Sequence, residues 1–311
     1  MNLLGKHVQD YLTLRRRLGF KLRGTGFLLR QFVRFAKANG TARITTQLAV
    51  RWATQRTESE PVTLAARYRT VRLFALYLNT LDCQNEVPPA GLLPYRKERK
   101  SPYIYSDQEV VRLVRAAQQL PSSKGLRGPT LSTLIGLLAA TGMRIGEAIG
   151  LDRDSVDLPQ AMLTIHQAKG YRARLIPLHP STCTMLQRYE HLRNRLCPQP
   201  LSPSFFVSEQ GTRLNDNRVR AWFATVSRHI GIRKANAHRG PRLHDLRHRF
   251  TVRTLLRWYR TDIDVDVHMP ELSTYLGHRH VSGTYWYLSA VPELLQLATR
   301  RWERKNGGPK P

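Results

Sequence analysis

The sequence predicts a mainly α-helical protein with a small β-sheet, an α+β chain in two domains. Apolar residues recur at helical spacing through most of the 311 residues, whereas residues 163–178 show two short strand-like runs. A basic, proline-rich segment at residues 88–101 interrupts the helical pattern. We therefore expect domains at residues 1–87 and 102–290, joined by the 88–101 linker and followed by a tail at residues 291–311.

The first domain is predicted to be a bundle of four helices. In each helix, apolar residues occupy one face and Arg or Lys residues lie between them. The four segments are residues 5–18, 26–38, 46–56 and 62–81. The segment VPPAGLLPYRKERKSP that follows combines four prolines with a basic cluster, so the helical pattern ends there.

The second domain is predicted to begin with a helix, because Ser106 and Glu109 form a Ser-x-x-Glu capping box. Residues 130–142 are apolar on nearly all sides and stop at Gly142, which indicates a buried helix with a glycine C-cap. The two β-type runs then form a hairpin with Lys169 at its tip. Helices are predicted for residues 181–196, 215–230, 243–260, 270–276 and 283–304.

The charge predicts a polyanionic partner. There are 50 Lys and Arg against 22 Asp and Glu, a net charge of +28. Residues 1–100 carry 19 basic and 6 acidic side chains, residues 101–200 carry 12 and 7, and residues 201–311 carry 19 and 9. A basic excess spread over two folded segments favours a surface around a polyanion, and nucleic acid is the natural partner. A merely basic surface is the alternative.

Other classes of protein are disfavoured by the same sequence. Cys83, Cys183 and Cys197 lack C-x-x-C spacing, so neither disulfides nor a thiolate zinc site are predicted. No secretory signal or apolar run long enough for a membrane is visible, so we expect a cytoplasmic protein without membrane contact.

Arg144 and Glu147 are the first candidate site residues. Arg144 follows the buried helix directly in TGMRIGE, and Glu147 lies three residues later, on the same helical face. An arginine in this position is rigidly placed and could bind a phosphate, with Glu147 orienting a basic neighbour. A solvated arginine at a helix start is the alternative.

A histidine and an arginine in HDLRH form the second candidate. His244 and Arg247 are three residues apart, so on a helix both project toward one phosphate. A core histidine beside a surface arginine is the alternative. The histidines at 238, 244, 248, 268, 278 and 280 show no accepted zinc-ligand motif, so no metal is predicted.

A tyrosine nucleophile is the third candidate. STYLGHRHVSGTYWYLSA contains His278, Tyr285 and Tyr287. Tyrosine oxygen can attack phosphorus when nearby Arg and His side chains stabilise the charge. Residues two apart on a helix point about 200° apart, so the two tyrosines cannot share one role. The pattern alone leaves the choice open, and an aromatic core stripe is the alternative.

Together these motifs resemble the tyrosine recombinase (phage integrase) family. The resemblance rests on the order and spacing of TGMRIGE, AKGYRARLIPL, HDLRH and YLGH, with a tyrosine nine residues beyond His278. It selects Tyr287 as the nucleophile and implies a helical core-binding domain followed by a catalytic domain. The narrower similarity is to integrases of transposon-like elements, including those encoded as recombinase trios.

The resemblance also implies roles. Arg144 and Arg247 would bind the scissile phosphate, Lys169 would protonate the 5′ leaving oxygen, and His244 and His278 would supply proton transfer and hydrogen bonds. Neither metal, ATP nor another cofactor would be required. The partners would be double-stranded DNA, further copies in a synaptic tetramer and companion recombinases, with the 291–311 tail docked on a neighbouring protomer or packed in cis.

One departure from the family pattern and two competing functions remain. The segment between HDLRH and YLGH is longer than in simple bacterial members and carries Asp262, Asp264 and Asp266, so a longer loop beside the active site is expected. A type IB topoisomerase would use nearly the same residues without exchanging strands. An architectural DNA-binding protein would explain the charge alone.

Overall fold

The computed structural model describes residues 3–55, 59–93, 101–166, 173–237, 240–261 and 263–305. These residues form two compact units, one up to residue 93 and one from residue 101 onward. Both are mainly helical, and a three-stranded sheet lies in the second unit, which confirms the predicted fold class. Among the described helices, none combines the length and apolar character needed to cross a membrane.

The N-terminal unit is a four-helix bundle. Its helices are α1 (Leu3–Arg17), α2 (Arg23–Ala38), α3 (Thr46–Thr54) and α4 (Pro61–Asn79). Phe32, Trp52 and Phe74 are fully buried between them. Residues 88–93, the first part of the predicted linker, lie against this bundle, where the Tyr68 hydroxyl donates to the Pro89 carbonyl at 2.9 Å. Residues 94–100 of that linker lie outside the described residues.

The second unit begins as the sequence predicts. Helix α5 (Asp107–Gln118) starts at the Ser106–Glu109 capping box, in which both reciprocal hydrogen bonds form. Helix α6 (Arg127–Thr141) is buried at most positions and ends at Gly142, whose φ of 63° is the left-handed conformation that favours glycine. The short helix α7 (Ile145–Ala148) follows, so Arg144 lies in the turn between two helices.

The predicted hairpin is part of an antiparallel sheet of three strands. The strands are β1 (Val156–Asp157), β2 (Met162–Ile165) and β3 (Arg174–Pro177), in that spatial order. Burial alternates along β3, so Arg174 and Ile176 point to the buried face. Lys169 falls between β2 and β3 and lies outside the described residues.

Six further helices complete the unit. They are α8 (Pro180–Leu196), α9 (Asp216–His229), α10 (Leu243–Arg260), α11 (Val265–Leu276), α12 (Ser282–Ala290) and α13 (Pro292–Lys305). The prediction of a single helix over residues 283–304 is wrong, because Val291 is extended (φ −126°, ψ 108°) ahead of Pro292, which starts α13.

The expectation of a longer loop between HDLRH and YLGH is also wrong. Helix α10 continues to Arg260, and α11 begins at Val265 and runs through Pro270. Asp264 is the N-cap of α11, where its side chain accepts a hydrogen bond from the Asp266 amide at 3.0 Å. Most of this segment is therefore helical, and Asp262 lies outside the described residues.

The C-terminal helix α13 packs within its own unit. Leu294 is fully buried in an apolar cluster with residues of α10, α11 and α12. Glu293 pairs with Arg260 of α10 at 2.5 Å. In the isolated chain the first turn of the tail is thus an ordinary part of the core.

Candidate active site

Arg144 is held by a carboxylate and by a backbone carbonyl. Its guanidinium donates from Nη1 to Glu147 Oε1 and from Nη2 to the Gly277 carbonyl, both at 2.8 Å. The second Glu147 oxygen accepts the Arg144 backbone N–H at 2.8 Å, which fixes the turn before α7. The Arg144 side chain is still 40% exposed, so it combines a fixed position with access from solvent.

Glu147 also binds Arg174 from strand β3. Arg174 donates to both carboxylate oxygens, at 3.1 and 2.8 Å, and its side chain is only 8% exposed. Burial alone would raise the pKa of Glu147, but the hydrogen bonds and charges of Arg174 and Arg144 lower it to about 2. Glu147 is therefore a carboxylate that joins two arginines, as its predicted role of orienting a basic neighbour requires.

Arg247 lies in the second turn of α10 and is almost completely buried. Its guanidinium donates to the Gly142 carbonyl at 2.9 Å and to the Leu276 carbonyl at 2.6 Å. Burial, and then the nearby charge of Arg144, lower the pKa of Arg247 to about 10. The two arginines therefore form a cationic cluster in which a bound anion would reduce their mutual repulsion.

Two histidines border this cluster. His278 follows α11, and its Nδ1 lies 2.8 Å from the Thr284 hydroxyl. Burial, followed by the charges of Arg247 and Arg144, lowers the pKa of His278 to about 4. Burial and Arg247 also lower the pKa of His244. Both rings are therefore neutral near pH 7 in the free chain.

Tyr287 and Tyr285 occupy different environments on α12. The Tyr287 side chain is buried, and its hydroxyl lies 2.6 Å from Nδ1 of His248. Tyr285 is 40% exposed on another face of the helix. The structure thus brings Tyr287 to the histidine-bearing face of α10, and Tyr285 stays outside this constellation.

His248 and Arg174 are the two site residues that the sequence analysis did not single out as candidates. His248 follows His244 by four residues, so helical spacing alone could have placed it on the same face. Arg174 alternates with Ile176 on β3, and that alternation was its only signal. Both residues lie inside quoted motifs, His248 at the end of HDLRH and Arg174 within AKGYRARLIPL, but neither was given a role there.

Two further predictions concern the composition of the site. Lys169, the expected proton donor, lies outside the described residues, as does His238. Within the described part of the chain, no three His, Cys, Asp or Glu side chains are grouped so that they could hold a metal ion.

Comparison with known proteins identifies the family. Residues 104–293 match the phage integrase family. The chain is 44% identical over 309 residues to a Sinorhizobium fredii protein that carries the name integrase/recombinase y4rB, covering 98% of both chains. It is 27% identical over 232 residues to the tyrosine recombinase XerD of Neisseria meningitidis serogroup B, covering 74% of this chain and 73% of the relative.

A solved structure supports the same fold. The Tn1549 transposon integrase, in complex with transposon right end DNA, superposes with a TM-score of 0.64 at 14% identity, covering 96% of this chain and 98% of that one. The stretch that matches the family, residues 104–293, includes every described candidate residue of the site. The chain belongs to the phage integrase family, the tyrosine recombinases.

Proposed function

We propose that this recombinase cleaves and rejoins double-stranded DNA at specific sites through a 3′-phosphotyrosine bond to Tyr287. The reaction would serve integration, excision or transposition of a mobile element. The observation that carries the proposal is the buried Tyr287 hydroxyl, 2.6 Å from a histidine of α10. Arg247 on the same helix feels the charges of both Tyr287 and Arg144, and backbone carbonyls hold its guanidinium in place.

The roles of the cations follow from their positions. Phosphoryl transfer places negative charge on the two non-bridging oxygens, and fixed guanidinium groups stabilise that charge without reorganisation. Arg144 and Arg247 would donate to these oxygens, while His244 and His278 would donate further hydrogen bonds. Lys169 is proposed to protonate the 5′ oxygen as it leaves.

A covalent adduct tests the proposal. A nicked suicide duplex with the element's own end sequence loses a short fragment after cleavage, so the protein stays attached to the DNA. We expect the parent chain and Tyr285→Phe to form the adduct, and mass mapping to find it on Tyr287. Tyr287→Phe should bind the same duplex without forming an adduct, since it lacks only the nucleophilic oxygen.

Other outcomes would contradict the proposal. DNA binding by the parent without any adduct would indicate an architectural role. Relaxation of supercoiled DNA without exchanged strands would indicate a topoisomerase. An adduct on Tyr285 would show that the nucleophile has been assigned to the wrong tyrosine.

The proposed partners follow from the same chemistry. Exchange between two duplexes requires four strand cleavages, and one tyrosine per chain then requires four protomers, so we propose a homotetramer on synapsed DNA. Companion recombinases would join it in elements that encode them. Docking of α13 on a neighbouring protomer would require Leu294 to leave the cluster that now buries it.

A further inference from the structure

We propose that His248 takes the proton of Tyr287 when the tyrosine attacks phosphorus, with Asp245 behind it as a positioning carboxylate. This assignment rests on the proposed function and adds two residues to it. It also gives the two α10 histidines different roles. His244 donates a hydrogen bond to the phosphate, and His248 accepts the proton of the nucleophile.

The contact between nucleophile and base is direct. Nδ1 of His248 lies 2.6 Å from the Tyr287 hydroxyl oxygen, although the two residues are 39 positions apart. The His248 side chain is 13% exposed and Tyr287 2%, so both groups are largely removed from water. The rings of His244 and Trp286 flank the imidazole, with centroids 4.8 and 5.9 Å away, and fix its orientation.

A carboxylate lies on the opposite side of the imidazole. Asp245, one helical turn before His248, has Oδ1 4.0 Å from Nε2, and its side chain is 3% exposed. The Arg242 amide and guanidinium hold the carboxylate at 2.7 and 3.0 Å. At 4.0 Å the carboxylate acts on the imidazole through its charge and not through a hydrogen bond. Nucleophile, base and carboxylate thus follow in the order that activates hydroxyl nucleophiles, in which the third group stabilises the imidazolium.

The surroundings of His248 determine its protonation state before DNA binds. On α10 it faces His244, Asp245, Arg242 and Arg247, and from α12 Tyr287 approaches it. Burial and these cations keep the ring neutral, so with its proton on Nε2, toward Asp245, Nδ1 can accept from the tyrosine. Arrival of the negatively charged scissile phosphate offsets Arg247 and makes the imidazolium easier to form.

The step balances in atoms and electrons. A lone pair of the Tyr287 oxygen forms the new O–P bond, and the pair of the P–O5′ bond goes to the 5′ oxygen. The Tyr287 proton moves to Nδ1 of His248, and the 5′ oxygen takes a proton from Lys169. On rejoining, a 5′ hydroxyl attacks phosphorus and gives its proton to the neutral Lys169 amine. The bond between phosphorus and the Tyr287 oxygen breaks with its pair on that oxygen, and the His248 imidazolium returns its proton there.

Single-turnover cleavage of the suicide duplex tests the assignment. His248→Ala should cleave about 100- to 10,000-fold more slowly than the parent, the usual range for loss of a general base. His248→Asn is equally slow, because its amide can accept the Tyr287 hydrogen bond but not the proton. Added imidazole restores part of the His248→Ala rate. His268→Ala, an exposed histidine paired with Glu271, is the matched control and cleaves normally.

A substrate with sulfur in place of the bridging 5′ oxygen separates the two proton transfers. Its better leaving group removes the need for Lys169, so Lys169→Ala recovers while both His248 variants stay slow. Asp245→Asn keeps an oxygen for the Arg242 amide and should cleave about 10-fold more slowly, while the double variant with His248→Asn is no slower than His248→Asn alone.

Several outcomes would overturn the assignment. A parental rate for His248→Asn would show that only the hydrogen bond matters, and a faster His248→Ala would make His248 a restraint on Tyr287. Rescue of His248→Ala by the sulfur substrate would move its action to the leaving group. If the parent itself forms no adduct, the proposed function is wrong, and the assignment of His248 as the base is then wrong as well.

Discussion

Replacing Gly277 by Ala should disrupt the cluster that Arg144 and Arg174 form with Glu147, because the added methyl group would lie against both arginines. Gly277 ends α11 with φ +65°, and a Cβ built there would lie 2.5 Å from Nη1 of Arg174 and 3.4 Å from Nη1 of Arg144. A guanidinium exposed to solvent could move away from the added methyl group at little cost in free energy. Arg174 cannot do so freely, because it is 8% exposed and binds both oxygens of Glu147.

The magnitude follows from two contributions. A left-handed alanine costs about 1 kcal/mol, and loss of one charged hydrogen bond between Arg174 and Glu147 costs about 2 kcal/mol. Gly231→Ala is the matched control, since Gly231 has φ +77° and nothing within 4 Å of an added Cβ. We expect destabilisation of about 3 kcal/mol for Gly277→Ala and about 1 kcal/mol for the control.

Urea unfolding and single-turnover cleavage measure the two consequences. Because the Gly277 carbonyl also holds Arg144, cleavage by Gly277→Ala should fall about 100-fold, and Gly231→Ala should cleave normally. Equal destabilisation of the two variants would show that Arg174 moves without loss, and the argument for a rigid cluster would then be wrong.

Two further predictions concern ionisation within the site. A Glu147 pKa of about 2 instead of the usual 4.5 corresponds to about 3 kcal/mol, so Glu147→Gln should lower the free energy of unfolding at pH 7 by about that amount. Glu293→Gln, in an exposed ion pair, should cost less than about 0.5 kcal/mol in the same urea titration. The second prediction is that the free chain loses stability on acidification, because His248 and His278 bind protons in the unfolded state at pH 6.5 but in the folded state only near pH 4. Unfolding measured from pH 7.5 to 4.5 should show this loss, and His278→Gln should reduce it; a flat profile would contradict the buried neutral rings.

The sequence predicted the parts of the site that local patterns encode. The apolar helix ending at Gly142 places Arg144 in the next turn, and helical spacing puts His244 and Arg247 on one face of α10. Two tyrosines remained open until the resemblance selected Tyr287. The structure gives the two tyrosines different environments, since Tyr287 is 2% exposed and Tyr285 40%.

The remaining site residues depend on contacts between distant segments. Arg174 reaches Glu147 across 27 positions, and His248 reaches Tyr287 across 39. Local spacing carries no information about such pairs. The wrong loop beyond HDLRH has a local cause, because Asp264 was placed in that loop and is in fact the N-cap that starts α11.

The way the arginines are held indicates how this fold would prepare the proposed phosphate site. Helices α6 and α11 both end at a glycine in the left-handed conformation, and their last carbonyls point at the cluster. Helix C-termini carry partial negative charge, so they attract guanidinium groups without forming a salt bridge. Gly142 and Leu276 bind Arg247 in this way, and Gly277 binds Arg144.

This arrangement has a consequence for the chemistry. A carboxylate bound directly to Arg247 would cancel charge that the proposed phosphate contact needs, whereas two backbone carbonyls fix this guanidinium and leave most of its charge uncompensated. Arg144 differs, because it shares the Glu147 carboxylate with Arg174. A guanidinium also has five N–H donors, so two bonds to carbonyls do not exhaust it. Burial, and then the positive charge of neighbouring arginines, lower the pKa values of Arg247, His244 and His278 before DNA binds. A phosphate bound between the arginines would offset that positive charge, and the added charge of the transition state would be stabilised by donors that are already in position.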